Sequence, residues 1–172
     1  QYCYRVRAVK GIGASGYAGP TCATTVLGVV LQDGVNGYTG TRDTYIWETS
    51  PEQVRGAETV FVQDINASDE RRSLLLFDLS AVPPGSVIQS AELQFFVDVE
   101  GLGFNMHRML TSWDEATITY TSNGGHFNAD GTDAESAVNA NWPGANNYVG
   151  FITVTVPAST IQDWIDGNLP NN

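Results

Sequence analysis

Ala91-Glu-Leu-Gln-Phe-Phe-Val-Asp-Val99 is the stretch that decides the fold class. Ala91, Leu93, Phe95, Val97 and Val99 fall on one side of an extended chain, and Glu92, Gln94, Phe96 and Asp98 on the other. Side chains of a strand alternate between its two faces, so this period of two predicts a strand with one face buried and one in water, the antiparallel pattern. Val149-Gly-Phe-Ile-Thr-Val-Thr-Val156 repeats it, with Ile152, Val154 and Val156 inward and Thr153 and Thr155 outward. Shorter strands are predicted at 43–48, 59–63, 106–110 and 117–120, and the more continuously apolar Ser73-Leu-Leu-Leu-Phe-Asp-Leu79 predicts a central strand. Turn residues separate these runs at Val82-Pro-Pro-Gly85, Glu100-Gly-Leu-Gly103, Ser122-Asn-Gly-Gly125 and Pro143-Gly144. One short helix is expected at 160–166. Ser159 and Gln162 stand at capping-box spacing, Ile161, Trp164 and Ile165 form an apolar stripe, and Gly167 supplies the stop. Many short strands with one late helix predict an all-β, antiparallel β-sandwich of jelly-roll type.

The N-terminal segment reads differently. Tyr2-Cys-Tyr-Arg-Val-Arg-Ala-Val9 alternates as a strand, Gly11-Ile-Gly-Ala-Ser-Gly16 forms a turn, and Pro20-Thr-Cys-Ala-Thr-Thr25 returns. Two strands do not bury a core alone, so residues 1–25 are expected to be the C-terminal hairpin of another domain, 26–32 a linker, and 33–172 the sandwich. On this reading the chain is a piece of a longer modular protein. Charge changes at the same place: the first 30 residues hold Arg5, Arg7 and Lys10 and no acid, whereas five arginines and all 19 acidic residues follow. Such acidity argues against nucleic acid or an anionic membrane as partner. The absence of lysine beyond residue 10 excludes lysine-based chemistry in the larger part. No apolar run approaches the roughly 20 residues of a membrane span. Cys3 and Cys22 flank the turn almost symmetrically, which suits a cross-strand disulfide and an oxidising compartment; two free thiols are the alternative.

Two resemblances bear on these segments. Tyr2-Cys-Tyr-Arg-Val-Arg-Ala-Val9, Gly13-Ala-Ser15 and Ala23-Thr-Thr25 resemble the last two strands of a fibronectin type III domain, although paired cysteines are not general in that family. Residues 31–172 resemble a DNRLRE (disaggregatase-related) β-sandwich domain through six ordered landmarks. These are Asp43-Thr-Tyr-Ile46, Gly56-Ala-Glu-Thr-Val-Phe-Val62, Arg72-Ser-Leu-Leu-Leu-Phe-Asp-Leu-Ser80 with Val82-Pro-Pro-Gly85, Ile88-Gln-Ser-Ala-Glu-Leu93, Trp113-Asp-Glu-Ala-Thr-Ile-Thr-Tyr120 and Trp164-Ile-Asp-Gly-Asn168. The family pattern continues past Pro170-Asn171 into a Gly-rich turn and further strands. This resemblance implies an extracellular modular protein, often one with polysaccharide lyase, hydrolase or cell-surface parts. It also implies that some related modules bind acidic polysaccharide such as alginate, and it implies no catalysis by the domain itself.

The residues carry little catalytic signal. His107 and His126 have no nucleophile motif beside them, and Gly-x-Ser-x-Gly and His-Glu-x-x-His are both missing. His107, among strand residues, reads as structural. Carboxylate pairs such as Asp114 and Glu115 are what 19 acids supply by chance. Asn128-Ala-Asp-Gly-Thr-Asp-Ala-Glu135 offers Asp130, Asp133 and Glu135 as hard oxygen ligands for Ca²⁺, without EF-hand register, and the loop 33–43 offers a second set. A solvated polar loop is the alternative for each.

For glycan binding the useful groups are aromatic rings that stack on sugars and polar groups that bond hydroxyls or carboxylates. Tyr38, Trp142 and Tyr148 lie in Gly/Asn-rich segments. Trp142 is the leading candidate because Asn139-Ala-Asn-Trp-Pro-Gly-Ala-Asn-Asn147 gives it no large apolar neighbour in sequence; a plug over one end of the sandwich is its alternative. Trp113 and Trp164 read as core, and Trp47 is open between the two roles. Arg72 and Arg108 could meet an anionic sugar or pair with acids. The overall acidity favours a neutral glycan or a Ca²⁺-bridged acidic one.

The function expected from the sequence is a non-catalytic carbohydrate-binding or adhesion module of a secreted bacterial multidomain protein, facing polysaccharide or cell-surface glycan. The alternative is a spacer or extracellular fibre subunit that joins neighbouring subunits by strand addition.

Overall fold

The computed structural model describes residues 2–11, 13–23, 27–58, 60, 62, 68–98, 103–122, 127–145 and 148–172. The chain divides into two compact units, Gln1–Val30 and Leu31–Asn172.

In the first unit β1 (Tyr2–Val6) pairs antiparallel with β4 (Ala18–Ala23), and the short β2 (Val9–Lys10) with β3 (Gly13–Ala14). Cys3 stands directly opposite Cys22 in the outer ladder, and a disulfide joins them. Between Tyr4 and Val6 the register shifts, so the hairpin changes pairing rather than running as one ladder. Ala8 and Ser15 bridge the interruption through Ser15 N donating to Ala8 O at 2.9 Å and Ala8 N donating to Ser15 Oγ at 3.0 Å. None of the described side chains of this unit is buried; Val6, Val9 and Tyr17 are all exposed.

The second unit is all-β and antiparallel, as its alternation predicts, with one α-helix among the described residues. β5 (Thr41–Trp47) pairs with β6 (Arg71–Phe77) from Thr41 opposite Phe77 to Trp47 opposite Arg71. Three consecutive residues of β5, Thr44, Tyr45 and Ile46, are buried, so this strand is covered on both faces at its centre. β7 (Ala91–Val97) pairs with β10 (Gly150–Val156) along their whole length. The period of two is obeyed on both strands. Leu93 opposes Val154 and Phe95 opposes Ile152 on the inner face, while Gln94 opposes Thr153 and Phe96 opposes Phe151 on the outer. β8 (Phe104–Met106) pairs with β9 (Ala140–Trp142), and Met109 bridges to Ala134 just beyond.

Two apolar clusters result among the described residues. Ile46, Leu74, Trp113, Ile118 and Phe127 form one, with Leu76, Met109 and Tyr120 against them. Ala140, Ile152 and Val154 form the other, with Phe95, Phe104, Met106, Trp142 and Tyr148 packed around them. Ile46 and Val154, the largest fully buried side chains among the described residues, mark the two centres. Burial of such a side chain stabilises by about 1.5–3 kcal/mol.

Three local expectations need correction. Residues 117–120 are turn and irregular structure, not a strand. The Asp114 carbonyl accepts from Thr117 N at 3.1 Å and Ile118 N at 2.8 Å, and its side chain accepts from Ala116 N at 2.8 Å. Asp captures nearby backbone donors in this way and so competes with a ladder. The strand expected at 106–110 ends at Met106; beyond it the chain runs irregularly beside 133–139, with Leu110 N donating to Asp133 O at 2.8 Å and Glu135 N to Arg108 O at 2.9 Å. The helix, α1 (Ala158–Ile165), starts two residues before the expected position, after Pro157, which gives no side-chain cap. Ser159 is therefore inside the helix, and Gln162 serves another element: its Oε1 accepts from Ile88 N at 2.8 Å and its Nε2 donates to Ser86 O at 3.2 Å. Gly167, at φ +71°, ends the helix as expected. Most of the strand expected at 59–63 lies outside the described residues; Val62 is described, and its backbone N–H and C=O both bond the Ser73 hydroxyl.

Candidate functional site

The inner alternation of β8 and β9 sends Phe104, Met106, Ala140 and Trp142 into the second cluster and leaves Asn105 and Asn141 exposed. Asn105 and Asn141 are direct cross-strand partners. Beside this short ladder lies an open cavity of about 560 Å³, within the size range of small-ligand sites. Asn105, Asn141, His107, Trp142 and Arg72 line it together with apolar side chains such as Leu74, Met106 and Phe127. Gly103 and Trp142 meet at its rim. Gly103 has φ +93°, and a Cβ there would lie 2.4 Å from the Trp142 carbonyl oxygen, so glycine is what lets the two segments approach.

Trp142 is a strand residue, not a loop aromatic without apolar neighbours. Its ring centroid lies 5.9 Å from that of Phe104 and 6.3 Å from that of Tyr148. The neighbours come from distant segments, through pairing that its own Asn/Gly-rich surroundings do not announce. It is half-buried and lines the cavity, so part of the ring is held by the core and part is available. Tyr148 packs on the same cluster and donates its hydroxyl to Phe151 O at 2.6 Å. Tyr38 stands apart from the cavity. It packs against Gly40, where a Cβ would come within 2.9 Å of the tyrosine ring, and burial pushes its phenol pKa up.

Both candidate arginines are paired. Arg72 bridges to Glu70 and donates to the Phe127 carbonyl and to Asn128 Oδ1 at 3.0 Å. Arg108 Nη2 donates to Glu135 Oε1 at 2.7 Å, and Asn139 Nδ2 donates to Glu135 Oε2 at 3.0 Å. The Arg108 bond, followed by that from Asn139, holds the Glu135 carboxyl below the usual carboxylate range. Arg72 lines the cavity and Arg108 does not.

The three carboxylates considered for Ca²⁺ are engaged locally. Asp130 Oδ1 accepts from Thr132 N at 2.9 Å, Asp133 Oδ2 from Asn128 N at 3.2 Å, and Glu135 uses both oxygens as above. Among the described residues no group of three or more His, Cys, Asp or Glu side chains has metal-holding geometry. His107 is half-buried with Nδ1 between two backbone carbonyls, those of Glu135 at 2.9 Å and Ala137 at 3.0 Å. His126 lies outside the described residues.

The Asn105–Asn141 pair was not singled out by sequence reasoning. Each is the polar middle of an apolar–polar–apolar triplet, which marks an outward strand position, but nothing local says that the two triplets pair. Arg55 was missed as well; buried beside β5, it stacks on Tyr45 and Trp47.

The lining thus brings a tryptophan, two asparagines and a histidine to one open volume. Amides and imidazoles offer hydrogen bonds of both senses to a polyhydroxylated ligand. Among the described residues no helix is long and apolar enough to cross a membrane. No curated protein and no solved structure matches the chain. The model of one family, Carbohydrate-binding module family 96, matches residues 36–142, more than half of the chain and every part of the cavity lining except Pro143. On that match the chain belongs to carbohydrate-binding module family 96.

Proposed function

We propose that the second unit binds a polysaccharide chain in the cavity beside β8 and β9 and does no chemistry on it, holding whatever is attached to it at a glycan surface. The observation that carries this reading is the shared lining: the directly paired Asn105 and Asn141 next to the half-buried Trp142. The amides bond sugar hydroxyls, and the ring supplies an apolar wall already fixed by Phe104 and Tyr148, so little side-chain entropy is lost on binding. Membership of a carbohydrate-binding family supports it. Arg72 lines the same cavity with its charge already balanced by Glu70, which favours recognition through hydroxyls over recognition through sugar carboxylates. In this reading residues 1–25 are the closing strands of a fibronectin type III-like domain, 33–172 a DNRLRE-like domain, and the parent protein is secreted.

The test is electrophoresis in native gels containing mixed-linkage β-glucan, xylan, galactomannan or alginate, with pull-downs on insoluble cellulose and chitin. Wild type is expected to be retarded by at least one of them. The Asn105→Ala/Asn141→Ala variant, altered only at exposed positions, is expected to lose about tenfold or more in affinity at unchanged Tm. A folded wild-type protein that none of these polysaccharides retains would overturn the reading.

A further inference from the structure

His107 Nδ1 faces two carbonyl oxygens, of Glu135 at 2.9 Å and Ala137 at 3.0 Å. Carbonyl oxygens only accept, so Nδ1 carries a proton shared between them, and of the two neutral tautomers these partners select the one protonated at Nδ1. The tautomer follows from the partners alone. In that tautomer Nε2 carries a lone pair, and the hydrogen bonds of the ring to described residues are both made by Nδ1. His107 lines the cavity, and since Nδ1 is engaged by the backbone of 135–137, Nε2 is the ring nitrogen left to meet a ligand. The two carbonyls also fix the ring's orientation, so the acceptor is set in place before anything binds.

We propose that His107 is a specificity residue, with Nε2 accepting a hydrogen bond from a hydroxyl of the sugar ring held in the cavity. The inference rests on the polysaccharide-binding reading and adds a direction to it. Asn105 and Asn141 can each donate or accept, whereas the neutral imidazole held this way only accepts at Nε2. It therefore selects a donor at that point on the ligand, a free hydroxyl, and rejects a sugar whose hydroxyl there is methylated or replaced by a second acceptor.

Two substitutions separate this role from a structural one. His107→Asn keeps a donor near the Nδ1 position and loses the Nε2 acceptor. His107→Gln places an acceptor near the Nε2 position and loses the tie to 135 and 137. On whichever gel polysaccharide retains wild type, His107→Asn is expected to keep its Tm and bind roughly fivefold to tenfold more weakly, and His107→Gln to recover part of that loss despite a lower Tm. Nitrogen-detected NMR of the histidine rings is expected to show Nδ1 protonated and Nε2 bare in the free protein. The Nε2 signal should shift when an oligosaccharide of the retaining polysaccharide is added. Wild-type affinity in His107→Asn, or a proton on Nε2 in the free protein, overturns the role of His107 and leaves the binding reading intact. No retention of wild type by any polysaccharide overturns the reading itself and this role with it.

Discussion

Arg55 shows what a single residue does here that its neighbours in sequence do not announce. Its guanidinium lies 4.9 Å from the Tyr45 ring centroid and 4.7 Å from that of Trp47. It donates to the Tyr45 hydroxyl at 2.8 Å, Glu58 Oε1 at 2.6 Å and Gln53 Oε1 at 2.7 Å, with only 6% of its surface exposed. Arg71 lies against the same Trp47 ring at 4.4 Å, and the Trp47 indole N–H donates to Asp69. Trp47 is thereby committed to the protein's own cations, which resolves the ambiguity of its sequence position. Lysine cannot reproduce a planar group that stacks and donates to three partners. Arg55→Lys is expected to cost about 2 kcal/mol in urea unfolding, and an unchanged midpoint would refute the stacking account. Carboxylates at this scale predict pH behaviour. Asp69, held low chiefly by the Trp47 indole, and Glu135, held low chiefly by Arg108, are more acidic folded than unfolded. Their contribution is complete above the unfolded carboxylate range and disappears as pH falls through the lower folded value, so stability should drop below about pH 4. Glu135→Gln should make that acid limb shallower. Asp43 has the opposite sign, raised first by burial and then by Asp33, so its ionisation opposes folding at neutral pH. Asp43→Asn is expected to raise Tm at pH 7, with the gain shrinking as the acid range is entered.

Elements divide by how local their causes are. β7 and β10 were legible because alternation is written in the strand itself, and each inward residue found at 91–97 and 150–156 is one that the pattern picks out. The same pattern at 117–120 misleads, because Asp114 competes for the backbone donors of Ala116, Thr117 and Ile118. The α1 start misleads because Gln162 is drawn to the 86–88 segment, an element far away in sequence. β8 and β9, the strands that build the cavity rim, are three residues each and depend on one another. Gly103 is where their approach can be tested. A Cβ added at φ +93° would sit 2.4 Å from the Trp142 carbonyl oxygen and 2.5 Å from the Pro143 carbonyl carbon, both backbone atoms that no rotamer change can move. Gly103→Ala is expected to lower stability by more than about 1 kcal/mol and to weaken polysaccharide retention beyond that, since the Asn105–Asn141 pairing shifts with the rim. Gly85→Ala provides the control: its φ is +75° with nothing within 4 Å, so it carries backbone strain without a clash and lies away from the cavity.

For the whole molecule, the two units differ in what holds them. The described residues of Leu31–Asn172 form two apolar clusters, whereas the described side chains of Gln1–Val30 are exposed and a cystine closes its hairpin. Closing a loop of 19 residues is worth about 3 kcal/mol in the chain-entropy account, a large share of what a two-stranded hairpin has. The Cys3→Ser/Cys22→Ser variant is therefore expected to lose the protected amides of 2–23 in hydrogen exchange. The Tm and the polysaccharide retention of the larger unit should stay unchanged; a fall in either would show that the larger unit depends on the hairpin. By itself the sequence determined the all-β antiparallel class and the inward faces of the long strands, because those follow from a period of two among near neighbours. It also carried the charge contrast between the two parts of the chain. Only the tertiary structure decided that Trp142 is anchored in a strand, that Arg72 and Arg108 are spent on Glu70 and Glu135, and that Asn105, Asn141 and His107 share one cavity. The reason is physical: which distant strands pair, and which charge finds which partner, is settled by burial summed over the whole unit, and no local run of residues encodes that sum.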